Sequence, residues 1–163
     1  MKKRMILLLT LPLLALALFQ IDFQGKAVAG CPFCDREVLE RQVFYRGHGA
    51  LGVLTHKPAV PGHVLIIPER HVERFEELTP EDLAALQETV KKVDAAVRKK
   101  YGNTDYLLLQ KNGRMAGQTV PHVHFHYLPA SRFLALRYLV SPWFKPMSLE
   151  ELRQANGALS ELF

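Results

Sequence analysis

Residues 121–129 read Pro-His-Val-His-Phe-His-Tyr-Leu-Pro and carry the strongest pattern in the chain. Polar and apolar residues alternate, which predicts a β-strand with His122, His124 and His126 on one face and apolar side chains on the other. Successive histidines on that face would lie about 7 Å apart. Imidazole can act as a nucleophile or general acid towards phosphates, and it can also bind zinc, so the pattern indicates one of these two chemistries.

Four segments with strand character precede this stretch. They are short runs rich in apolar and β-branched residues, and Pro and Gly turns separate several of them. The last of the four is rich in leucine, and we expect it to be buried. The segments are 43–46, 51–54, 62–68 and 105–110.

Two helices are predicted, one in the middle of the chain and one at its end. The first spans Pro80–Tyr101 after the N-cap Thr79, and its apolar residues recur at steps of three and four, which predicts one buried stripe. The stripe consists of Leu83, Leu86, Val90, Val93 and Val97. The second helix covers 148–163 and opens with Ser148 and Glu151 in capping-box spacing. This order of elements indicates an α+β domain with an antiparallel sheet.

The first 29 residues have the composition of an export signal. A basic Met-Lys-Lys-Arg at 1–4 precedes an almost wholly apolar run over 5–19, and Ala-Val-Ala at 27–29 resembles a signal-peptidase site. The run suits a signal peptide and is slightly short for a membrane span, so cleavage and retention as an anchor both stay open. Either way, the positive charges would place the following domain outside the cytoplasm, so the protein is expected to be exported or membrane-anchored. A lipobox-like sequence ending at Cys31 is a third alternative.

The rest of the chain is predicted to form one domain over 30–130, followed by an extension over 131–163. The formal net charge is +5, but four basic residues and one acidic residue lie before Gly30, so the leader carries most of that charge. No run of Lys and Arg interleaved with aromatic residues follows, so nucleic acid is not an expected partner. Membrane contact is expected only through the N-terminal segment.

Two motifs resemble the histidine triad (HIT) superfamily, whose signature is His-x-His-x-His followed by two apolar residues. One is Ala-Gly-Gln-Thr-Val-Pro-His-Val-His-Phe-His-Tyr-Leu-Pro at 116–129. The other begins Lys-Pro-Ala-Val-Pro-Gly-His-Val at 57–64, continues to Leu78, and is particularly close to the fragile-histidine-triad branch of dinucleoside polyphosphate hydrolases. The resemblance covers 31–129. It implies a HIT-like antiparallel sheet of about five strands with one long helix, and members of the family are commonly homodimers.

The resemblance also implies roles for residues in these motifs. His124 would attack the α-phosphate of a nucleotide and become nucleotidylated, and His126 would contact the phosphate and protonate or orient the leaving group. His63 matches a histidine that lines the nucleoside pocket. Backbone amides near Gly117 and His124 would stabilise developing negative charge. The loop before the triad would contact the phosphate through Gly117, Gln118 and Thr119.

Two positions depart from the family pattern. Lys111 lies two residues before a turn glycine, where the family usually has Asn or Gln to hold the ribose-phosphate, and lysine can bind phosphate as a point charge. Thr55 stands where the family typically has Asn or Asp for the ribose hydroxyls, and it offers one hydroxyl. Both residues are expected to contact the nucleotide, whose identity they leave open.

The only two cysteines, Cys31 and Cys34, form a Cys-Pro-Phe-Cys sequence. From the residues alone, this pair fits a redox motif, a short-loop disulfide or half of a tetrahedral zinc site. Many bacterial HIT proteins carry such a pair, and the resemblance implies that His71 and His122 complete a structural Zn²⁺ site. Lipid on Cys31 would remove one of these ligands.

Together, these features predict a nucleotide hydrolase or nucleotidyltransferase. It would cleave nucleoside-P-X substrates, of the dinucleoside polyphosphate or nucleoside phosphoramidate type, through a nucleotidyl-His124 intermediate. The alternatives are a non-catalytic zinc- or nucleotide-binding module and a metalloenzyme whose metal is held by all three triad histidines. The extension over 131–163 either packs over the domain or serves as a dimer or pocket-closing element. His48 and His56 are expected to be solvated loop histidines.

Overall fold

The computed structural model of the protein describes residues 30–102 and 105–163. The predicted leader, residues 1–29, lies outside the described residues. Within the described part, no helix is both long enough and apolar enough to cross a membrane.

Within residues 30–102 and 105–163, five strands form one antiparallel sheet in the order β1-β2-β3-β5-β4. The strands are β1 (Val43–Arg46), β2 (Ala50–Leu54), β3 (Val64–Pro68), β4 (Tyr106–Gln110) and β5 (Phe125–Pro129). All five predicted segments therefore contain strands, and the α+β fold with an antiparallel five-stranded sheet is confirmed. The bounds of β1 to β4 agree with the predicted segments to within two residues, while those of β5 differ more.

β5 is shorter than predicted because its ladder begins only at Phe125. The amide of Val123 donates instead to the carbonyl oxygen of Val72 at 2.7 Å, outside the sheet. The register of β3 and β5 would place Pro68 opposite Val123, and proline has no amide hydrogen to contribute to the ladder. His126 is therefore the only triad histidine within the strand, and the other two precede it.

The prediction that segment 105–110 is buried is wrong. β4 is an edge strand that pairs only with β5 within the described residues. Its residues Tyr106, Leu107 and Leu108 are 42, 42 and 40% exposed. A leucine-rich run indicates an apolar environment, but it does not distinguish a strand buried by its own fold from one that a second molecule would cover.

The described residues contain four α-helices. They are α1 (Arg36–Gln42), α2 (Pro80–Tyr101), α3 (Leu134–Val140) and α4 (Leu149–Ser160), with short 3₁₀ turns at Phe75–Glu77, Arg114–Ala116 and Ser141–Trp143. The bounds of α2 are as predicted, and reciprocal capping boxes start α2 at Thr79 and Asp82 and α4 at Ser148 and Glu151. The short helices α1 and α3 were not predicted, since seven residues are too few to establish a helical period.

Helices α2 and α4 pack on one face of the sheet. From the predicted stripe of α2, Val93 and Val97 are fully buried, whereas Leu83 near the N-terminus is 41% exposed and lies outside the core. The buried cluster on this face combines residues of β1–β3, β5, α2 and α4. Its largest members include Phe44, Leu54, Ile66, Tyr127, Leu152 and Leu159.

A second, smaller apolar cluster covers the opposite face of the sheet and contains Phe33, Leu51, Val53, Leu65 and Ile67. Leu65 pairs with His126 in the register of β3 and β5. Because directly opposite residues point to the same face, His126 lies on this second face, away from α2. The sheet thus separates a helix-covered core from a face that carries the candidate site.

Candidate active site and metal centre

The three triad histidines divide into two groups. The rings of His124 and His126 have centroids 5.1 Å apart, whereas the ring of His122 lies 5.2 Å from that of His71. His122 and His124 are both buried. Phe33 lies edge-on to both of them, at 5.8 and 5.6 Å, so the loop with the two cysteines packs directly against the triad segment.

His124 is held in one tautomer by its own segment. Its Nδ1 lies 2.7 Å from the carbonyl oxygen of His122. Since a carbonyl only accepts, Nδ1 carries the hydrogen and donates it, which leaves a lone pair on Nε2. Burial lowers the pKa of His124, and the nearby charge of Lys111 lowers it further. At neutral pH, His124 is therefore an uncharged imidazole with a nucleophilic Nε2.

His63 and His126 form a second arrangement with defined tautomers. The amide of Ala59 donates to His63 Nδ1 at 3.0 Å, so the hydrogen of His63 sits on Nε2. That Nε2 lies 3.0 Å from His126 Nδ1 and donates to it, which leaves the hydrogen of His126 on Nε2. Burial lowers the pKa of His63 to about 4 and the pKa of His126 well below its usual value. Both rings are neutral, and His126 presents an N–H group to the site.

The pairing of His63 with His126 was not predicted, because the sequence resemblance placed His63 only at the nucleoside pocket. His63 immediately precedes β3, and Leu65 pairs with His126 in the sheet. Side chains two residues apart share a face of a strand, so His63 was expected on the face of His126 once the strand pairing was known. Strand pairing itself cannot be deduced from the spacing of histidines along the chain.

Gln118 connects the loop before the triad to two other segments. Its Oε1 accepts from the amide of Gly113 at 2.6 Å, while its Nε2 donates to the carbonyl of Glu73 at 2.9 Å and approaches that of His122 at 3.4 Å. The carbonyl of His122 is also the group that accepts from His124. The buried amide of Gln118 thus fixes the backbone that sets the tautomer of His124.

The other predicted phosphate contacts of this loop differ in their surroundings. Gly117 is buried with a positive φ of 83°, and its amide donates to the carbonyl of Arg114 at 2.8 Å. Thr119 is exposed. The loop brings Thr119 next to the triad segment, while the Gly117 amide is already engaged within the turn.

Lys111 lies at the end of β4 beside the triad. The last registered pair of β4 and β5 joins Gln110 to Phe125, so continuation of the register places Lys111 opposite His124. Its ammonium lies 5.0 Å from the ring centre of Tyr138 in α3, and partial burial lowers the pKa of Lys111. The Tyr138 ring lies 5.4 Å from that of His126. Tyr138 was not predicted as a site residue, since nothing in the sequence links α3 to the triad.

Thr55 and His63 are brought together at a cavity of about 350 Å³. The cavity lies beside the turn between β2 and β3, and its lining includes Tyr101 and Arg137 but not His124 or Lys111. The hydroxyl of Thr55 accepts from the amide of Lys57 at 3.4 Å. The exposed His48 and His56 belong to neither group of histidines, in agreement with their predicted place in loops.

Cys31, Cys34, His71 and His122 form a cluster that could hold a metal ion. One ligand atom from each residue lies within 4.8 Å of all the others, and both thiols are free. His122 Nδ1 lies 3.4 Å from Cys31 Sγ and 3.7 Å from Cys34 Sγ, and His71 Nδ1 lies 3.2 Å from Cys34 Sγ. Tetrahedral zinc ligands at ordinary bond lengths lie about 3.3–3.8 Å from one another, so the donor set and spacing fit zinc.

A hydrogen bond on the far side of the ring orients His122 for such a site. Its Nε2 lies 2.9 Å from the carbonyl oxygen of Pro68 and donates to it, so Nδ1 keeps a lone pair facing the cysteines. The four predicted metal ligands are therefore together. Among the described residues, no other group of His, Cys, Asp or Glu has this arrangement, and the triad histidines do not converge on one metal.

Comparisons with known proteins agree with this geometry. The model of the HIT domain matches residues 36–133, more than half of the chain. The chain is 42% identical over 91 residues to a bis(5'-nucleosyl)-tetraphosphatase (asymmetrical) of Schizosaccharomyces pombe, which covers 56% of this chain and 50% of that protein. It is 42% identical over 80 residues to an adenosine 5'-monophosphoramidase of the same species. That match covers 49% of this chain and 57% of the relative.

The chain thus spans about half the length of these two relatives. Among solved structures, a zinc-bound histidine triad family protein of Mycobacterium smegmatis superposes with a TM-score of 0.61 at 26% identity, over 82% of this chain and 95% of that one. The domain match covers the sheet, the long helix and the triad segment, and it leaves α3 and α4 outside. On the domain match and the shared fold, this chain belongs to the HIT domain family.

Proposed function

We propose that the protein is a nucleotide hydrolase or nucleotidyltransferase that cleaves nucleoside-P-X substrates through a nucleotidyl-His124 intermediate. The observation that carries the proposal is the hydrogen bond from His124 Nδ1 to the carbonyl of His122. It leaves the lone pair of Nε2 available for attack and stabilises the positive charge that the ring acquires when it is nucleotidylated. The names of the two relatives, a tetraphosphatase and a monophosphoramidase, support this class of substrate.

In the first step, His124 Nε2 attacks the α-phosphorus, an N–P bond forms and the P–X bond breaks, so that X departs with the bonding electron pair. The Nε2–H of His126 would donate a hydrogen bond to the phosphate or the leaving atom. His63 holds His126 in the tautomer that can do so. Thr119, in the exposed loop beside the triad, would add a hydroxyl contact to the phosphate.

In the second step, water attacks the phosphorus, the N–P bond breaks, and His124 recovers its lone pair. The products are the nucleoside monophosphate and one proton. An acceptor other than water would give a transferase reaction by the same route. The cavity that contains Thr55 and His63 is the proposed place for part of the nucleoside.

The test is intact-mass measurement of the purified protein, quenched quickly after mixing with adenylyl and guanylyl substrates of the polyphosphate and phosphoramidate types. We expect a mass increase of one nucleotidyl group that is absent in His124→Ala and present in a control variant of the exposed His48 (His48→Ala). The competing function is a non-catalytic nucleotide-binding module, which the departures at Lys111 and Thr55 favour. Nucleotide binding without adduct or turnover across the panel would establish that competitor.

We further propose that the metal of the Cys31, Cys34, His71 and His122 cluster is zinc and that its role is structural. Two thiolates and two imidazoles would complete a tetrahedral shell with no open position for a substrate. Zinc there would cross-link the N-terminal loop to the triad segment. Metal analysis is expected to find one zinc per chain, retained in His124→Ala and lost in Cys34→Ala; loss in His124→Ala would favour the three-histidine metal site instead.

The assembly and location of the protein are also proposals. The exposed edge of β4 supports a homodimer in which two sheets meet, since unpaired apolar edges are normally covered. The leader predicts an exported or membrane-anchored protein with the domain outside the cytoplasm. Fractionation of cells that express the full chain, with mass measurement of the mature N-terminus, tests the location. A mature chain starting near Gly30 is expected for cleavage, and an intact Met1 in the membrane fraction for an anchor.

A further inference from the structure

The extension after the HIT domain reaches into the candidate active site through one side chain. The ring of Tyr138, in α3, lies 5.4 Å from His126 and 6.1 Å from His63, both edge-on. The matched domain ends at residue 133, so Tyr138 comes from outside it. Its phenol is partly buried, and this burial raises its pKa to about 12, so it stays uncharged.

Backbone contacts hold the extension in this position. Arg137 Nε donates to the carbonyl of Ala59 at 2.9 Å, and Lys57 Nζ donates to the carbonyl of Pro142 at 2.6 Å. Ala59 is also the residue whose amide fixes the tautomer of His63. The segment that carries Tyr138 is therefore tied to the same turn that orients the His63–His126 pair.

Tyr138 also contacts Lys111, the cation whose charge acts on His124 and His126. The Lys111 ammonium lies 5.0 Å from the Tyr138 ring centre, within the range of a cation–π interaction. The last registered pair of β4 and β5 joins Gln110 to Phe125, and continuation of this register places Lys111 opposite His124, on the face of His126. A flexible lysine side chain is thereby restrained beside the nucleophile. Restraint matters because a lysine otherwise has many rotamers and binds phosphate only as a point charge.

The other groups near the reacting atoms are poor proton donors. The hydrogen bond from Ala59 and the bond between the two rings leave both His63 and His126 as neutral imidazoles. A neutral imidazole can donate a hydrogen bond, but it does not readily release its proton. A leaving group that departs as a stable anion, such as a phosphate, needs no proton. An amine leaving group does need one, and a neighbouring ammonium repels the charge that it develops.

We infer that Lys111 and Tyr138 form a leaving-group subsite that selects substrates whose leaving group is a phosphate chain over substrates whose leaving group is an amine. Lys111 supplies the positive charge, and Tyr138 is a positioning residue that holds this charge beside His126. The inference rests on the proposed function, because it concerns the leaving group of the same reaction. It assigns a role in specificity to a residue outside the HIT domain.

The test compares kcat/KM for diadenosine tetraphosphate with kcat/KM for adenosine 5'-phosphoramidate. The ratio of the two is the readout, since a merely structural defect lowers both values together. Lys111→Gln is expected to lower the ratio by about tenfold or more, which corresponds to the loss of one charged contact, and Lys111→Arg is expected to preserve most of it. Tyr138→Leu should lower the ratio in the same direction, while Tyr138→Phe, which keeps the ring, should not.

A matched control is Leu136→Ala, which alters an exposed residue of the same helix. It should leave the ratio unchanged. The double variant of Lys111→Gln and Tyr138→Leu should lower the ratio no further than Lys111→Gln alone, because Tyr138 acts through the lysine. An unchanged ratio in Lys111→Gln, which alters a partly exposed side chain that the core does not need, would overturn the inference, even if Tyr138→Leu failed to fold.

A binding measurement separates this inference from the proposed function. Titration calorimetry with tripolyphosphate is expected to show affinity that falls about tenfold in Lys111→Gln and in Tyr138→Leu but not in Tyr138→Phe. If the mass measurement finds no nucleotidyl adduct but the affinity for tripolyphosphate depends on Lys111, the proposed reaction is rejected and the anionic subsite is kept. If the nucleotidyl adduct forms normally but the affinity for tripolyphosphate does not change in Lys111→Gln, only the subsite is rejected.

Discussion

At the scale of single residues, two backbone groups decide which nitrogen atoms of the histidines can react. The carbonyl of His122 fixes the proton of His124 on Nδ1, and the amide of Ala59 fixes that of His63 on Nε2. Neither partner is a side chain, so substitutions at His122 and Ala59 keep these groups, except for proline at Ala59, which lacks the amide hydrogen. The chemistry of the triad therefore depends on the path of the backbone as much as on the histidines.

The His63–His126 pair makes a prediction about stability and pH. The pKa of His63 is lowered to about 4 by burial, against about 6.5 in an unfolded chain, so the unfolded state binds more protons between these values. The stability that comes from keeping this ring neutral is fully present above about pH 6.5 and is lost as the pH falls towards 4. The full shift corresponds to about 3 kcal/mol.

The variant that isolates this effect is His63→Gln, whose amide can donate from the position of Nε2 and does not titrate. Its free energy of unfolding, from urea melts at pH 7.5 and pH 5, should fall less between the two values than that of the unmodified protein. Equal falls in both proteins would show that His63 does not carry the pH dependence.

At the scale of elements, the segment between the 3₁₀ turn Arg114–Ala116 and β5 makes contacts in three directions. Val123 donates to Val72, Gln118 reaches the His122 carbonyl, and the His122 ring faces the two thiols. This segment replaces the regular strand that the alternation of residues predicted. These contacts orient His124 towards the site without support from the strand ladder.

Removal of the proposed zinc therefore tests the element as a whole. Chelation, or Cys34→Ala, is expected to lower the melting temperature by about 4–8 °C, which corresponds to about 2 kcal/mol in a protein of this size. The rate of adduct formation on His124 should fall as well, because the His122 carbonyl loses its anchor. Thermal melts and quenched-flow mass measurements with and without added zinc check both effects. Cys34→Ala should not respond to added zinc, whereas the chelated protein should recover.

The turn between β2 and β3 has a separate requirement at Gly62. Its φ is 80°, and an added Cβ would lie 2.9 Å from Pro129 Cγ and 3.0 Å from Val97 Cγ1. Gly62→Ala is expected to cost about 2 kcal/mol in unfolding free energy, from backbone strain and overpacking. The control Gly157→Ala, exposed in α4 with no atom within 4 Å of the new Cβ, should stabilise by about 0.5–1 kcal/mol. Similar effects of the two substitutions in denaturant melts would contradict this explanation.

At the scale of the whole molecule, the sequence predicted what local patterns determine. The capping signal at Thr79 and the period of α2 predicted that helix to the residue, and strand-like runs predicted where all five strands lie. The pairing of Cys31 and Cys34 with distant histidines came from the family resemblance, and the structure brings these residues together. Tyr138 could not be predicted, because its approach to the triad depends on how a seven-residue helix packs.

The exposed β4 edge shows the same limit of prediction from sequence. Its leucines indicate an apolar environment, but they do not indicate whether this chain or a second copy provides it. Tyr106 and Leu108 leave about two fifths of their surface exposed, so a second copy that extends the sheet would bury them. Sedimentation equilibrium of the full protein is expected to give a dimer, and Leu108→Lys, which places a charge on the pairing edge, should shift it towards monomer. The matched control Leu136→Lys places the same charge on exposed α3 and should leave the dimer intact. If the dimer persists in Leu108→Lys but dissociates in Leu136→Lys, the dimer interface lies on the extension and not on the sheet edge.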